Sequence, residues 1–151
     1  MRSRPIIAPL APADRARWEV LSRGYKAFYR TELPDSAYAA TWRRLMRGDV
    51  VHGLGAHQGG QLVGIAHFFF HAHVWAEDVC YLQDLFVDEE VRGRGVARAL
   101  IEATARAAQE RGVPKLYWQT KEDNVRARAL YDKVGRFNGF IRYDYALGRG
   151  A

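Results

Sequence analysis

The 151-residue sequence contains one cysteine, Cys80, so no disulfide can close within the chain and a reducing compartment is its natural home. Long hydrophobic runs are absent as well. Nothing approaches the ~18 consecutive apolar residues of a membrane span, and the N-terminus has no apolar signal-peptide core. The expected address is therefore cytoplasmic, with no membrane partner. Lysine is scarce: Lys26, Lys115, Lys121 and Lys133 stand against a Lys+Arg total of 23, so nearly every cation is an arginine. Repeats, low-complexity tracts and linkers are missing too, which leaves a single domain over residues 1–151 as the expected organisation. His67, His71 and His73 fall on one face of a strand, but no cysteine or carboxylate lies at ligand spacing from them, and no metal is expected.

What is present is an ordinary globular composition with a formal net charge of +6, which favours anionic partners. Arginine binds phosphate through a planar fork and stays charged, as a phosphate-bearing cofactor would require. Nucleic acid is not the expected partner, because Arg15, Arg17, Arg43, Arg44, Arg106, Arg126 and Arg142 are scattered over different elements. The pattern predicts a strand over 6–10, a helix capped by Asp14 and running to 29, and a second helix over 35–48. Strands are expected over 50–56, 62–74 and 79–87, the first two joined by a Gly59-Gly60 turn. The clearest helix begins at Val96, where Val96, Leu100, Thr104 and Ala108 form an apolar stripe and Gly112 and Pro114 end the run. A strand over 116–120, a helix over 124–134 and a closing strand over 140–147 complete an α/β fold with a mixed sheet and about four helices. The strand–helix–strand order of the second half requires at least one parallel crossover.

Chemistry concentrates between residue 87 and the long helix, in Arg92-Gly93-Arg94-Gly95-Val96-Ala97 followed by Arg98. Glycines there let successive backbone N–H groups turn toward one point at the positive end of a helix dipole, with arginines around it. Such a nest suits a pyrophosphate; a Gly-rich turn that merely starts a helix would look similar. The spacing is neither the dinucleotide-fold fingerprint nor a P-loop.

Arg92-x-x-Gly95-x-Ala97 resembles the acyl-coenzyme A loop of the GNAT acetyltransferases, and Asn124-x-x-Ala127-x-x-Leu130-Tyr131 resembles their second signature, with Gly135 following. Cys80-Tyr81-Leu82-Gln83-Asp84-Leu85-Phe86-Val87 resembles the Tyr-Leu-Glu-Asp-Leu-Phe-Val strand of the branch holding yeast-type histone and D-amino-acid acetyltransferases and, more distantly, polyamine acetyltransferases. The likeness extends through Gly24-Tyr25, Phe28-Tyr29, Thr41-Trp42, His67 and His71, Trp75 and Gly139-Phe140-Ile141, nearly the whole chain.

The resemblance implies a single GNAT-like domain whose central sheet, mostly antiparallel, splays at the cofactor. Acetyl-coenzyme A would lie along Leu85, Phe86 and Val87, with its pyrophosphate among Arg92, Gly93, Arg94, Gly95, Val96, Ala97 and Arg98. Asn124 would meet the pantetheine end and Tyr131 the sulfur. The implied reaction is acetyl transfer to the primary amine of a small molecule (an amino acid or polyamine-like) or of a protein lysine, within a homodimer. An alkylamine of pKa ~10.4 is about one part in a thousand neutral at pH 7, so the site must manage a proton. Tyr131 can protonate the departing thiolate, although a buried tyrosine on a helix face is the plainer reading of the residue alone. Gln83 stands where the branch carries Glu and cannot take a proton, which keeps a catalytically silent acyl-coenzyme A sensor open. Asp84 keeps a carboxylate, but a regular strand points it away from Gln83; a bulge would bring it back, and a structural partner for an arginine is its other reading. Tyr25, Phe28, Tyr29, Trp75 and Gln83 are the candidate contacts for the amine.

Overall fold

The structure, a computed structural model, describes residues 4–148; the outermost three residues at each end of the expected domain lie outside them. The described chain divides between Gln119 and Thr120 into two compact units. The first holds a five-stranded sheet in the order β1-β2-β3-β4-β5: β1 Ile6–Pro9, β2 Val51–Gln58, β3 Gln61–His73, β4 Ala76–Val87 and β5 Leu116–Tyr117. The first four strands are antiparallel neighbours, and β5 joins β4 in parallel after the crossover helix α3, Val96–Arg111. The expected α/β class, mixed sheet and crossover are all present.

Helices α1, Arg15–Phe28, and α2, Asp35–Arg47, close one face of the sheet. Trp18 and Leu21 of α1 and Tyr38, Trp42 and Leu45 of α2 are buried with Ile65 of β3 in one apolar cluster, as their helical spacing required. The Trp18 and Trp42 rings lie 5.0 Å apart. Successive strand residues point to opposite faces, so Gly64, beside Ile65, faces α3; a Cβ there would stand 3.0 Å from both Leu100 and Val96. Val96, Leu100, Ile101, Thr104 and Ala108 are the buried stripe of α3, and the otherwise costly Thr104 hydroxyl donates to the Leu100 carbonyl at 2.8 Å.

Three expectations are corrected. Asp14 stands at the start of α1 but makes no side-chain cap. Pro12 opens a short 3₁₀ turn ahead of the helix, and the Asp14 carboxylate instead accepts from the Ala11 N–H at 2.8 Å and meets His57 Nε2 at 2.8 Å. The strand expected over 116–120 ends at Tyr117. The closing strand over 140–147 does not form. A strand exists by hydrogen-bonding a neighbour, and no described strand pairs with that segment. The second unit contributes α4, Val125–Val134, whose N-cap Asn124 accepts from the Ala127 N–H at 3.3 Å and donates to Thr120 Oγ1 at 3.3 Å.

Candidate active site

The sheet is incomplete where β4 passes β5. Only Cys80 and Tyr81 pair with Leu116 and Tyr117, so from Leu82 to Val87 β4 is bonded in the sheet to β3 alone. An unpaired strand edge presents N–H and C=O groups to whatever lies beside it. Along this edge a bulge interrupts the β3–β4 ladder: His67 pairs with Asp84 and Phe68 with Leu82, leaving Gln83 as the extra residue. Inserting one residue flips the facing of everything after it. Asp84 therefore lies opposite His67, on the α1 side, and both Gln83 and Asp84 line one cavity of about 200 Å³ with Trp18, Tyr25 and Tyr38.

A hydrogen-bonded chain holds the carboxylate. Trp18 Nε1, which can only donate, reaches His67 Nε2 at 2.9 Å. The other ring nitrogen, Nδ1, then carries the proton toward Asp84 Oδ2 at 2.9 Å. Tyr25 supplies a further hydrogen bond from α1. Burial alone would push the Asp84 carboxyl up and is the largest single influence, but the His67 bond, the Lys26 charge and the Tyr25 bond together hold it below its ordinary range. Burial, followed by the charge of Asp84, pushes the Tyr25 phenol far above its ordinary value, so it remains a donor. The arrangement is a fixed, ionised carboxylate on a partly aromatic wall.

At the far end of β4, Arg17 of α1 donates to the Leu62 carbonyl at 3.0 and 3.1 Å and to Asp88 at 3.0 Å, tying the strand ends to the loop. Arg92 continues this by donating to the Val87 carbonyl at 3.4 Å, with its guanidinium 5.7 Å from the Phe86 ring centre. Gly95 is the N-cap of α3, with φ +80° and no side-chain cap, and Gly93 has φ +81°. A Cβ at either would meet nothing within 4 Å. The first-turn N–H groups of a 16-residue helix thus face an open cradle beside Arg92, Arg94 and Arg98.

Of the residues singled out for the amine, Tyr25 and Gln83 line the cavity with Asp84, whereas Phe28, Tyr29 and Trp75 do not. Trp75 is 90% exposed in the β3–β4 hairpin. Leu85, Phe86 and Val87 follow the bulge on the open edge. Asn124 and Tyr131 belong to the second unit, where Asn124 spends its amide on the α4 cap and Tyr131 is half-buried on that helix. Sequence reasoning missed His67 as the carboxylate's partner and Ser22, Lys26 and Arg44 as cavity-lining groups. The α1 spacing of Trp18, Ser22 and Lys26, one turn apart each, was the available signal. No group of three or more metal-ligating side chains occurs among the described residues.

The model of the GNAT acetyltransferase family matches residues 18–135, across both units. This chain is a GNAT acetyltransferase. It is 35% identical over 138 residues to the D-amino-acid N-acetyltransferase of Saccharomyces cerevisiae, covering 89% of this chain and 86% of that one. It is 27% identical over 122 residues to the thialysine N-epsilon-acetyltransferase of Bos taurus, covering 81% and 72% of the two chains. In fold it matches an aminoglycoside N-acetyltransferase solved in complex with CoA, with a TM-score of 0.84 at 21% identity over 99% of this chain and 97% of that one. The resemblance carried by the Arg92–Ala97 and Asn124–Tyr131 motifs, and by the strand before them, is borne out at the level of the family.

Proposed function

We propose that this GNAT domain transfers an acetyl group from acetyl-coenzyme A to the primary amine of a small molecule. The observation that carries the reading is the bulge at Gln83, which sets an ionised Asp84 in a cavity beside an unpaired strand edge. The residues present fit the cofactor. Leu85, Phe86 and Val87 offer backbone groups along the open edge, and the uncapped start of α3 with Gly93, Gly95, Arg92, Arg94 and Arg98 offers donors and charge to a pyrophosphate. Val96 and Ala97 supply first-turn N–H groups to the same cradle. Bound there, acetyl-coenzyme A supplies an activated thioester.

Asp84 pairs with the incoming ammonium and holds it against the open edge. An ammonium has no lone pair, so it first gives one proton to solvent, and the neutral amine attacks; as that nitrogen bonds to the acetyl carbon it becomes a far stronger acid, and Asp84 is the near acceptor of this second proton. His67, fixed by Trp18, keeps the carboxylate from turning. Tyr131 returns a proton to the sulfur. The silent-sensor alternative rested on Gln83 standing where a carboxylate was expected; Asp84 on the same cavity wall supports the enzyme over the sensor. Release of free thiol over a panel of primary amines tests the reading, and no turnover with any amine would end it. Tyr131→Phe removes a proton donor and almost no volume, so kcat falls roughly ten- to a thousandfold with cofactor affinity unchanged, read by turnover and calorimetry. Full activity across the pH range would remove the phenol from the reaction.

A single cysteine supports the cytoplasmic residence we assign; Cys80 is fully buried, and burial pushes its thiol up to about 11. No helix among the described residues is long and apolar enough to cross a membrane. We also assign a homodimer. Phe140, Ile141, Tyr143, Tyr145 and Leu147 are each more than 70% exposed within eight residues, an alternating stretch suited to pairing with a second copy. Sedimentation is expected to give a dimer at micromolar concentration and a monomer after truncation at Gly139; a monomeric full chain overturns the assignment.

A further inference from the structure

The cavity that holds Asp84 is also lined by two cations. Lys26 of α1 and Arg44 of α2 line it, and neither forms an ion pair among the described residues; Arg44 donates to Thr41 Oγ1 at 3.0 Å. Most other arginines on this side are committed, as Arg17 is to Asp88 and Arg23 to Asp35. Between Trp18 and Lys26 on the same face of α1 stands Ser22. Its hydroxyl is buried at the cavity wall with no hydrogen-bond partner, although a helical serine ordinarily satisfies itself on the carbonyl four residues back. A buried orphan hydroxyl beside two unpaired cations is a donor set for a carboxylate. The charged lining is therefore bipolar: Asp84 faces an ammonium, and Lys26 and Arg44 face an anion.

We propose that the acceptor is an amino acid with a free carboxylate, held by Lys26 and Arg44 with the Ser22 hydroxyl while Asp84 takes its amine. The inference rests on the acetyltransferase reading of this site and names its substrate class. Charge excludes the competing amines. A polyamine would bring several positive charges into a lining that already carries two cations against one carboxylate. A multi-ring aminoglycoside, itself polycationic, meets the same repulsion. Tyr38, with the Arg23 guanidinium 4.2 Å from its ring centre, and Trp18 leave an aromatic wall for the rest of the side chain.

The test compares kcat/KM for free amino acids of both hands, their carboxamides, spermidine and an aminoglycoside, in the wild type and in Lys26→Gln, Arg44→Gln and Arg44→Glu. Wild-type protein is expected to prefer the amino acid over its carboxamide by about 100-fold or more, since the amide leaves both cations unpaired. Each glutamine variant lowers that ratio roughly ten- to hundredfold, and Arg44→Glu raises the relative rate with spermidine. A wild type that favours the carboxamide, spermidine or the aminoglycoside overturns this inference and leaves the acetyltransferase reading standing. Variants that leave the ratio unchanged overturn it as well. Thiol release with no amine at all removes that reading and this inference together.

Discussion

Asp84→Asn lowers kcat/KM by about three orders of magnitude while acetyl-coenzyme A binds as before. The substitution keeps shape and the His67 contact, because an amide oxygen can still accept from Nδ1–H at the position of Oδ2. Under the proposed mechanism it removes the charge that pairs with the ammonium and the lone pair that receives a proton from the reacting nitrogen. One proton-transfer group contributes roughly 10²–10⁴-fold, and the ion pair adds to that. Because Asp84 is held below the ordinary carboxylate range, it stays ionised across the working pH. The acidic limb of the wild-type profile therefore follows protonation of the substrate amine, and the residual activity of the variant keeps that limb. Stability has the opposite pH signature. A carboxylate whose folded pKa is depressed contributes stability above its unfolded value of ~3.9 and loses it as the pH falls further. The melting temperatures of wild type and variant should thus differ most near neutrality and converge in acid. Activity within tenfold of wild type would take the carboxylate out of the chemistry.

That Asp84 faces the cavity could not be read from the strand itself. Leu82-Gln83-Asp84-Leu85 has no glycine or proline to mark an inserted residue, and period-two reading alone sends Asp84 and Gln83 to opposite faces. Only the pairing with β3 reveals the extra residue. The helices were legible because each carries its own stripe: Trp18 and Leu21, Tyr38, Trp42 and Leu45, and the α3 stripe are all buried as spaced. The Gly59-Gly60 turn was legible because both residues need positive φ, here +60° and +80°. The segment over 140–147 shows the limit of such patterns. Its alternation is strand-like, but an alternating segment becomes a strand only where a partner edge exists. Ser22, Lys26 and Arg44 escaped for a related reason, since their shared cavity is made by two helices meeting over the sheet, a proximity with no trace in sequence distance. The turn that starts α3 was the most readable part, because its features are local: glycines of positive φ and arginines at one helix start.

Gly95→Asp is expected to weaken acetyl-coenzyme A binding by about 100-fold or more in a protein that still folds. Gly95 sits at φ +80°, where an L residue is strained, by roughly 1–2 kcal/mol for most side chains and less for aspartate. The new side chain points into open space, since a Cβ at this position meets nothing within 4 Å, so no packing is lost. A carboxylate at the start of α3 also gains about 0.3–1 kcal/mol from the helix dipole, which offsets much of the backbone strain. The melting temperature should therefore move by only a few degrees. Binding fares differently, because the carboxylate occupies the N–H cradle itself and sets a negative charge against the incoming pyrophosphate, a juxtaposition costing several kcal/mol. Gly95→Ala separates the two effects: it carries the strain without the charge and should lose far less affinity. Calorimetric titration of the three proteins with acetyl-coenzyme A decides the matter. A folded Gly95→Asp protein with undiminished affinity would mean that the phosphates bind elsewhere, and an alanine variant as impaired as the aspartate would mean that backbone geometry, rather than the anion-seeking start of α3, governs the site.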